Sequence, residues 1–258
     1  MDISVSQLKT IEAQCEPIIR EAGKKIRDSW YSIQDIQYKS VRDPVTEVDR
    51  AVEDFIRGKI DSILPEAGFI VEEGTSDKHE EYNWSIDPID GTKYFVHQAP
   101  LFVTQLALLK GDVPVLGIVY NPISDQLFSA SEGNGATMNG DYLKATERTY
   151  LSDAIADMDF GGKTDEIDVK NRIFAQFSKN CARVRVIGGA FSIYAASGAF
   201  DICVGFNHMK LFDRAPRDII LREAGMTVDY LQKDGYTGIR LAATPKLFEL
   251  AANLIKTA

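Results

Sequence analysis

The most restrictive segment of the sequence is residues 84–93, where an apolar stretch runs into two closely spaced aspartates. Trp84 and Ile86 are typical of a short buried strand, and Pro88 and Gly91 mark a turn after that strand. A helix-capable stretch follows the turn. The segment therefore predicts a strand, a turn and a helix in direct succession, with two acidic side chains at the turn.

Oxygen atoms of this turn fit the chemistry of a hard cation. Asp87 and Asp90 flank the carbonyl of Ile89, and a turn can aim all three groups at one point. The amides of Gly91 and Thr92 would then lie near a helix N-terminus, which favours a phosphate group. The alternative is that the two aspartates only form the turn and cap the helix. Two further acidic stretches favour the metal interpretation.

One of these stretches is the pair Glu72-Glu73, which ends a predicted strand upstream. The other is Asp213, which precedes a predicted helix. Taken singly, the first is typical of a solvated strand end and the second of a helix N-terminal charge. Together with Asp87, they supply enough carboxylates for a site with two metal ions.

Charge and cysteine usage limit the classes of function. The chain has 258 residues and a formal net charge of -9, which argues against binding to a nucleic acid polymer. An acidic enzyme can still act on phosphate esters if divalent cations lie between its carboxylates and the substrate. The three scattered cysteines fit free thiols, no signal peptide is recognisable, and no apolar run approaches the roughly 18 residues of a membrane span. These features predict a cytoplasmic protein without a membrane partner.

Periodicity along the chain indicates a mixture of helices and strands. Three- and four-residue spacing of apolar side chains predicts a first helix over residues 8–30, with Ser4 and Gln7 as its capping box. Further helices are predicted at residues 47–64, 168–178, 190–197, 215–224 and 245–256, and strands at 69–71, 84–86, 104–109, 116–120, 126–130, 183–187 and 199–206. The mixture predicts layered helices and sheets of the mixed α/β (α+β) class.

Four motifs in a fixed order give the chain a family resemblance. They are the element Asp43-Pro44-Val45-Thr46-Glu47-Val48-Asp49, the Glu-Glu pair, the sequence DPIDGT followed by FVHQAP, and FDRA with a trailing EAG. A glycine-rich stretch at residues 133–140 adds to them. In this order the motifs closely resemble the inositol monophosphatase family, a branch of the metal-dependent, lithium-sensitive phosphatases. The resemblance implies a layered αβαβα sandwich of the inositol monophosphatase and fructose-1,6-bisphosphatase type.

The resemblance also implies a set of metal ligands. Glu72, Asp87 and the Ile89 carbonyl would hold a first Mg²⁺, and Asp87, Asp90 and Asp213 a second. Glu72 would touch a third, weakly bound ion through water, which makes two or three ions in all. Inhibition by Li⁺ or Ca²⁺ is part of the same expectation.

Catalysis by a member of this family would need a proton acceptor for the attacking water. The resemblance assigns this role to Thr92, hydrogen-bonded to Asp49. Asp49 also fits a capping box with Thr46, and both roles are compatible. Lys39 matches a loop lysine that approaches the reactive water in the family, with a solvated loop lysine as the equal alternative.

Substrate choice is where the sequence departs from the family pattern. The family's strand-to-helix turn, which faces the organic part of the substrate, corresponds to Gly188, Gly189 and Ala190. Phe206 stands where inositol-specific members have a glutamate that binds ring hydroxyls, and a shifted alignment would use Asn207 instead.

The expected reaction is Mg²⁺-dependent hydrolysis of the phosphate monoester of a small metabolite. An inositol or sugar phosphate leads, because FVHQAP is closer to the inositol branch. A histidinol-phosphate phosphatase and a 3'(2'),5'-bisphosphate nucleotidase are the alternatives, because Lys93 after Gly-Thr is closer to those members. A non-catalytic metal-binding regulator is a rival of another class.

Domain organisation and assembly are expected from the same resemblance. Residues 1–258 would form one domain, with a metal-binding half at 1–145 and a cap-like half at 146–258 that contributes Asp213. The active site would lie between the two halves. The family's usual assembly implies a homodimer.

Overall fold

A computed structural model of the chain describes residues 2–31, 36–40, 43–161, 166–206, 209–233 and 236–258. Among these, the side chains of residues 36–40, 43–45, 233, 236 and 237 are not described. The chain forms two compact units, the first comprising Met1–Asp141 and Lys210–Ile220, and the second Tyr142–Met209 and Leu221–Ala258. None of the helices in the described ranges is long and apolar enough to cross a membrane.

The described residues form helices and strands throughout both units. The α-helices are α1 Val5–Ser29, α2 Glu47–Ile60, α3 Thr92–Val96, α4 Ile167–Asn180, α5 Leu211–Glu223 and α6 Pro245–Thr257, with 3-10 helices at Leu151–Asp153 and Gly189–Ser197. The strands are β1 Ile36–Ser40, β2 Asp43–Thr46, β3 Gly68–Val71, β4 Tyr82–Asp90, β5 Val103–Lys110, β6 Val113–Asn121, β7 Gln126–Ser131, β8 Ala136–Met138, β9 Asp141–Tyr142, β10 Ile155–Met158, β11 Arg183–Arg185, β12 Ile202–Gly205, β13 Thr227–Lys233 and β14 Tyr236–Ala243.

Side-chain caps fix where the first two helices begin. Ser4 and Gln7 form a capping box at the start of α1, which confirms the sequence prediction. Thr46 and Asp49 form a second capping box at the start of α2, because the Asp49 carboxylate accepts from the Thr46 amide. Both helices then bury apolar faces in one core, where Ile19 and Ile56 are fully buried.

The first unit is built on a seven-stranded sheet with the strand order β3-β4-β5-β6-β7-β8-β9. β3 pairs with β4 in parallel, whereas β4 to β8 pair antiparallel. Because side chains alternate along a strand, β5 faces two different layers. Leu106 and Leu108 join the core that contains α1 and α2. Ala107 and Leu109 pack instead with Ala215 of α5, so α5 covers the opposite face.

A close approach at Gly117 of β6 sets the position of α5. A β-carbon at this residue would lie 2.4 Å from the Pro216 carbonyl oxygen and 2.5 Å from Ile219 Cγ2. Only glycine therefore lets the helix backbone come this near to the sheet. The same helix carries Asp213 in its first turn.

The second unit contains a five-stranded mixed sheet with the strand order β11-β10-β12-β14-β13. β10 pairs in parallel with β11 and β12, and β14 pairs antiparallel with β12 and β13. Helices α4 and α6 bury Ile173, Phe177 and Leu247 in the core of this unit. The alternation of helices and sheets within each unit agrees with the predicted mixed class.

Several elements of the second unit differ from the sequence prediction. The predicted helix at residues 190–197 is a 3-10 helix, Gly189–Ser197, flanked by Gly188 and Gly198 with positive φ angles of 62° and 82°. These glycines stop the segment at nine residues, and its last turn closes by a bond from the Gly198 amide to the Ala195 carbonyl. The paired strands β13 and β14 were not predicted, because their apolar alternation is interrupted by polar residues such as Gln232.

We expect Gly117→Ala to destabilise the protein by about 1–3 kcal/mol, because the added methyl group overlaps the backbone of α5. Gly58→Ala is the matched control: Gly58 lies exposed in α2, with open space where the β-carbon would be. That variant should gain about 0.5–1 kcal/mol, because alanine is the better helix former. Urea unfolding of both variants measures the two shifts, and equal shifts would contradict the close packing of α5 on β6.

Candidate metal centre

The DPIDGT segment lies at the end of β4, where the regular pairing with β5 is interrupted. Asp87 pairs with Gln105, but the next pair is Asp90 with Val103, so the register shifts between the two aspartates. Pro88 lies in this irregular stretch, where a missing N–H costs no ladder bond. Asp87 is buried, with 1% of its surface exposed, while Asp90 is partly exposed. The irregularity thus brings two carboxylates onto the α5 side of the sheet.

Four of the predicted metal ligands form an acidic cluster within the first unit. Burial raises the pKa of Asp87 well above its usual range, and the neighbouring charges of Glu72, Asp90 and Asp213 raise it further. Burial, and then the charge of Asp90, raise the pKa of Asp213 to about 7, although Arg217 opposes that shift. The structure therefore brings together the side chains of Glu72, Asp87, Asp90 and Asp213.

The donor set fits a hard divalent cation. Among the described residues, Asp87 Oδ1 is a buried oxygen without a hydrogen-bond partner. Nowhere in the described ranges are three Asp, Glu, His or Cys side chains already placed to hold an ion together. A buried carboxylate among like charges is unfavourable unless a positive charge compensates it. Carboxylate oxygens, one of them buried without a hydrogen-bond partner, are the kind of ligand that Mg²⁺ prefers.

Glu72 is positioned by a contact that the sequence did not indicate. The buried carboxylate of Glu53, on α2, accepts hydrogen bonds from the amides of Glu73 (2.8 Å) and Gly74 (2.6 Å). These bonds tie the loop after β3 to α2. Because Glu72 immediately precedes the tied residues, its backbone is held beside the end of β4.

Gln105 and Arg217 also contact the cluster, and sequence reasoning missed both of them. Gln105 Nε2 donates to Asp90 Oδ2 at 2.7 Å and lies 3.4 Å from Asp87 Oδ2. Arg217 Nη2 lies 3.9 Å from the same Asp90 oxygen, and its Nε donates to the Asp213 carbonyl at 2.6 Å. Two signals were available: Gln105 is a polar residue within an apolar strand, and Arg217 follows Asp213 by one helical turn.

Asp49 combines the structural and the predicted catalytic contacts. One carboxylate oxygen, Oδ2, accepts from the Thr46 amide in the capping box, while Oδ1 lies 3.5 Å from Thr92 Oγ1. Thr92 Oγ1 also donates to the Ile89 carbonyl at 2.9 Å. Burial raises the pKa of Asp49 to about 6, and hydrogen bonds from Thr46 oppose that shift. The capping interpretation and the catalytic contact are therefore compatible in one side chain.

The turn after Asp90 requires glycine. Gly91 has φ +97°, and a β-carbon there would lie 2.6 Å from the Leu101 carbonyl oxygen. This backbone leads directly into α3, which has five residues. The predicted phosphate contacts Gly91 and Thr92 thus lie at a tight turn beside Asp90.

The predicted substrate residues of the second unit form a local structure of their own. The amides of Gly188 and Gly189 donate to the carboxylates of Asp157 and Asp159, respectively, and Ala190 is buried just beyond them. Phe206 is also buried, with Lys170 Nζ 5.5 Å from its ring centroid. Asp157, Asp159 and Lys170 were not among the predicted residues.

The side chains of two predicted site residues, Asn207 and Lys39, lie outside the described part of the chain. Asn207 lies outside the described residues. Lys39 lies in β1, but its side chain is outside the described part of the chain.

Solved structures share the fold of the chain. The extragenic suppressor protein suhB of Bartonella henselae superimposes with a TM-score of 0.86 over 97% of this chain and 99% of that one, at 24% identity. An inositol monophosphatase of Thermotoga maritima gives a TM-score of 0.82 over 93% of this chain and 94% of that one, at 25% identity. The predicted mixed α/β fold class is therefore confirmed.

Sequence comparisons reach the same family over most of the chain. The chain is 36% identical to inositol monophosphatase 3 of Solanum lycopersicum, covering 80% of each chain. It is 30% identical to a Thermotoga maritima protein named fructose-1,6-bisphosphatase/inositol-1-monophosphatase, covering 84% of each. The model of the inositol monophosphatase family matches residues 7–257. Proteins named inositol monophosphatase are phosphoric monoester hydrolases. The chain thus belongs to the inositol monophosphatase family.

Proposed function

We propose that the chain is a Mg²⁺-dependent phosphomonoesterase that hydrolyses a small phosphorylated metabolite by attack of water on phosphorus. The observation that carries this proposal is the acidic cluster around Asp87, whose buried Oδ1 has no hydrogen-bond partner among the described residues. Glu72, Asp87 and the Ile89 carbonyl would hold one ion, and Asp87, Asp90 and Asp213 another. Mg²⁺ bound by these oxygens would neutralise the phosphate charge and lower the pKa of a bound water.

Thr92 and Asp49 are the residues that we propose handle the proton of the attacking water. Thr92 Oγ1 would turn its hydrogen from the Ile89 carbonyl to Asp49 Oδ1, 3.5 Å away, and accept a hydrogen bond from the water. Asp49, whose pKa is raised to about 6, is ionised yet basic at neutral pH, as a general base requires. The proton of the attacking water then passes to this pair, and a solvent water supplies the proton that the alcohol oxygen takes up as its bond to phosphorus breaks.

The proposed phosphate contacts are the amides of Gly91 and Thr92. Both amides lie in the tight turn between β4 and α3, directly after Asp90. Exposed amides at the start of a helix favour an anion. The proposal places the phosphate beside the acidic cluster, where cations would screen it from the carboxylates.

An inositol or sugar phosphate is the substrate class that we favour. This choice is supported by the relatives named inositol monophosphatase and fructose-1,6-bisphosphatase/inositol-1-monophosphatase. Phe206 argues against strict specificity for inositol phosphate, because an aromatic ring cannot replace hydrogen bonds from a carboxylate to ring hydroxyls. Exposed Lys93 in α3 supports the second candidate, a histidinol phosphate or nucleotide bisphosphate with a further polar group.

Location and assembly complete the proposal. Cys15, Cys181 and Cys203 are all free thiols, which supports a reducing compartment such as the cytoplasm. From the family resemblance we also propose that the protein forms a homodimer and that Li⁺ or Ca²⁺ inhibits it. On the same basis Lys39 would approach the reactive water, and the substrate would be bound by Gly188, Gly189, Ala190 and Asn207.

Phosphate release from a panel of esters tests the proposal directly. The panel contains inositol 1-phosphate, histidinol phosphate, fructose 1,6-bisphosphate and 3'-phosphoadenosine 5'-phosphate, each with and without Mg²⁺. We expect release only with Mg²⁺. We expect Asp90→Asn to release phosphate at least about 100-fold more slowly than the wild type. Even residues that only contact metal ligands contribute about 10–100-fold to metal affinity or activity. Asp54→Asn, an exposed change on α2, is the control. Equal release without Mg²⁺, or full activity of Asp90→Asn, would contradict the proposal.

Substitutions of Thr92 test the proposed proton acceptor. Thr92→Val keeps the shape of the side chain but removes the hydroxyl that contacts Asp49 and the Ile89 carbonyl. We expect kcat to fall by about 10²–10⁴-fold, the usual contribution of a general base. Thr92→Ser retains the hydroxyl and should stay within about 10-fold of the wild type. If the two variants were equally active at saturating Mg²⁺, the hydroxyl would have no role in proton transfer.

A further inference from the structure

Gln105 occupies an unusual place opposite the acidic cluster. It lies on β5 directly across from Asp87, in an antiparallel pair whose side chains share one face of the sheet. Its side chain is completely buried. Its amide nitrogen donates to Asp90 Oδ2 at 2.7 Å and reaches Asp87 Oδ2 at 3.4 Å. One neutral donor therefore contacts both aspartates of the DPID segment.

The orientation of this amide follows from its neighbours. Two carboxylates accept hydrogen bonds, so the nitrogen of Gln105 must face them and the oxygen must point away. That oxygen, Oε1, is buried and has no hydrogen-bond partner among the described residues. A buried oxygen without a hydrogen-bond partner lowers the stability of the folded state. An apolar side chain of similar size would fill the same space without this cost, so packing alone does not explain a glutamine here.

Asp90 is held from a second side as well. Arg217 Nη2 lies 3.9 Å from Asp90 Oδ2, the oxygen that Gln105 contacts. Arg217 Nε donates to the Asp213 carbonyl at 2.6 Å, which fixes the guanidinium group relative to α5. A hydrogen bond from the sheet and an ion pair from the helix thus meet at one carboxylate oxygen.

We infer that Gln105 is a positioning residue that orients the carboxylates of Asp87 and Asp90 for cation binding. This inference rests on the proposed function, because it assigns those aspartates to a Mg²⁺ site. Gln105 acts through the aspartates and need not touch the ion or the substrate. Partners of metal ligands set the orientation of the ligands, and removing one costs about 10–100-fold in metal affinity.

Gln105→Met and Gln105→Leu test the inference by isothermal titration of the protein with Mg²⁺, alongside thermal unfolding without divalent cations. Both variants replace the amide with apolar atoms of similar size. We expect Mg²⁺ affinity to fall by about 10-fold or more. The unfolding temperature without Mg²⁺ should change little, because the lost hydrogen bond and the removed unpaired oxygen have opposite effects.

Asn83→Leu is the matched control, since Asn83 is another fully buried amide of the same sheet. Its oxygen accepts from the His79 amide at 2.7 Å and its nitrogen donates to the His79 carbonyl at 2.7 Å. Both of its polar atoms are thus paired, away from the cluster. This variant should lower the unfolding temperature more than the Gln105 variants do, while its Mg²⁺ affinity stays within two-fold of the wild type, well below the loss of about 10-fold expected at Gln105.

The outcomes separate this inference from the proposed function. Wild-type affinity in both Gln105 variants, with clear Mg²⁺ binding by the wild type, would overturn the inference and leave the proposed metal site intact. Loss of folding in both variants would also overturn it, because the amide would then be a structural requirement. Absence of Mg²⁺ binding by the wild type would overturn the proposed function and the inference together.

Discussion

The burial of the Asp87 carboxylate beside three other acidic side chains is the constraint on which the rest of the first unit depends. Asp87 has almost no contact with solvent, and three further acidic side chains raise its pKa. The surrounding fold holds these charges together: β5 supplies Gln105, and the close approach of α5 to Gly117 brings Asp213 to the cluster. Such an arrangement costs stability in the absence of a counter-charge. This cost is the physical reason for proposing that a cation binds at the cluster.

Much of the fold follows from patterns that act over a few residues. The capping box of Ser4, helices α1 and α2 and strands β3 to β7 agree with the periodicity of apolar side chains. The helix predicted at residues 190–197 is present as a 3-10 helix that begins at Gly189, and the backbone of Gly188 and Gly198 limits its length. The hairpin of β13 and β14 was missed, since its stability depends on pairing with β12 rather than on its own alternation.

The acidic residues of the site could be predicted, but their supporting contacts could not. Asp87, Asp90 and the flanking turn are adjacent in sequence, so their proximity needs no tertiary information. Gln105 and Arg217 reach Asp90 only through the strand register and the face of α5. The contacts of Glu53 are also distant in sequence, because its hydrogen bonds to the loop after β3 join residues about 20 positions apart. Contacts of this kind depend on the folded structure: the sequence marks Gln105 as a polar residue in an apolar strand, but it does not say which side chain Gln105 meets.

The most direct test of this account compares the stability of the wild type and Asp87→Asn in mildly alkaline buffer, without divalent cations and then with excess Mg²⁺. Without Mg²⁺, the variant should be more stable by about 0.5–2 kcal/mol, because it removes a buried charge at a site built for function. With Mg²⁺, the wild type should gain stability by mass action and the variant much less. A variant that is less stable without Mg²⁺, or that gains as much from Mg²⁺ as the wild type, would contradict the account.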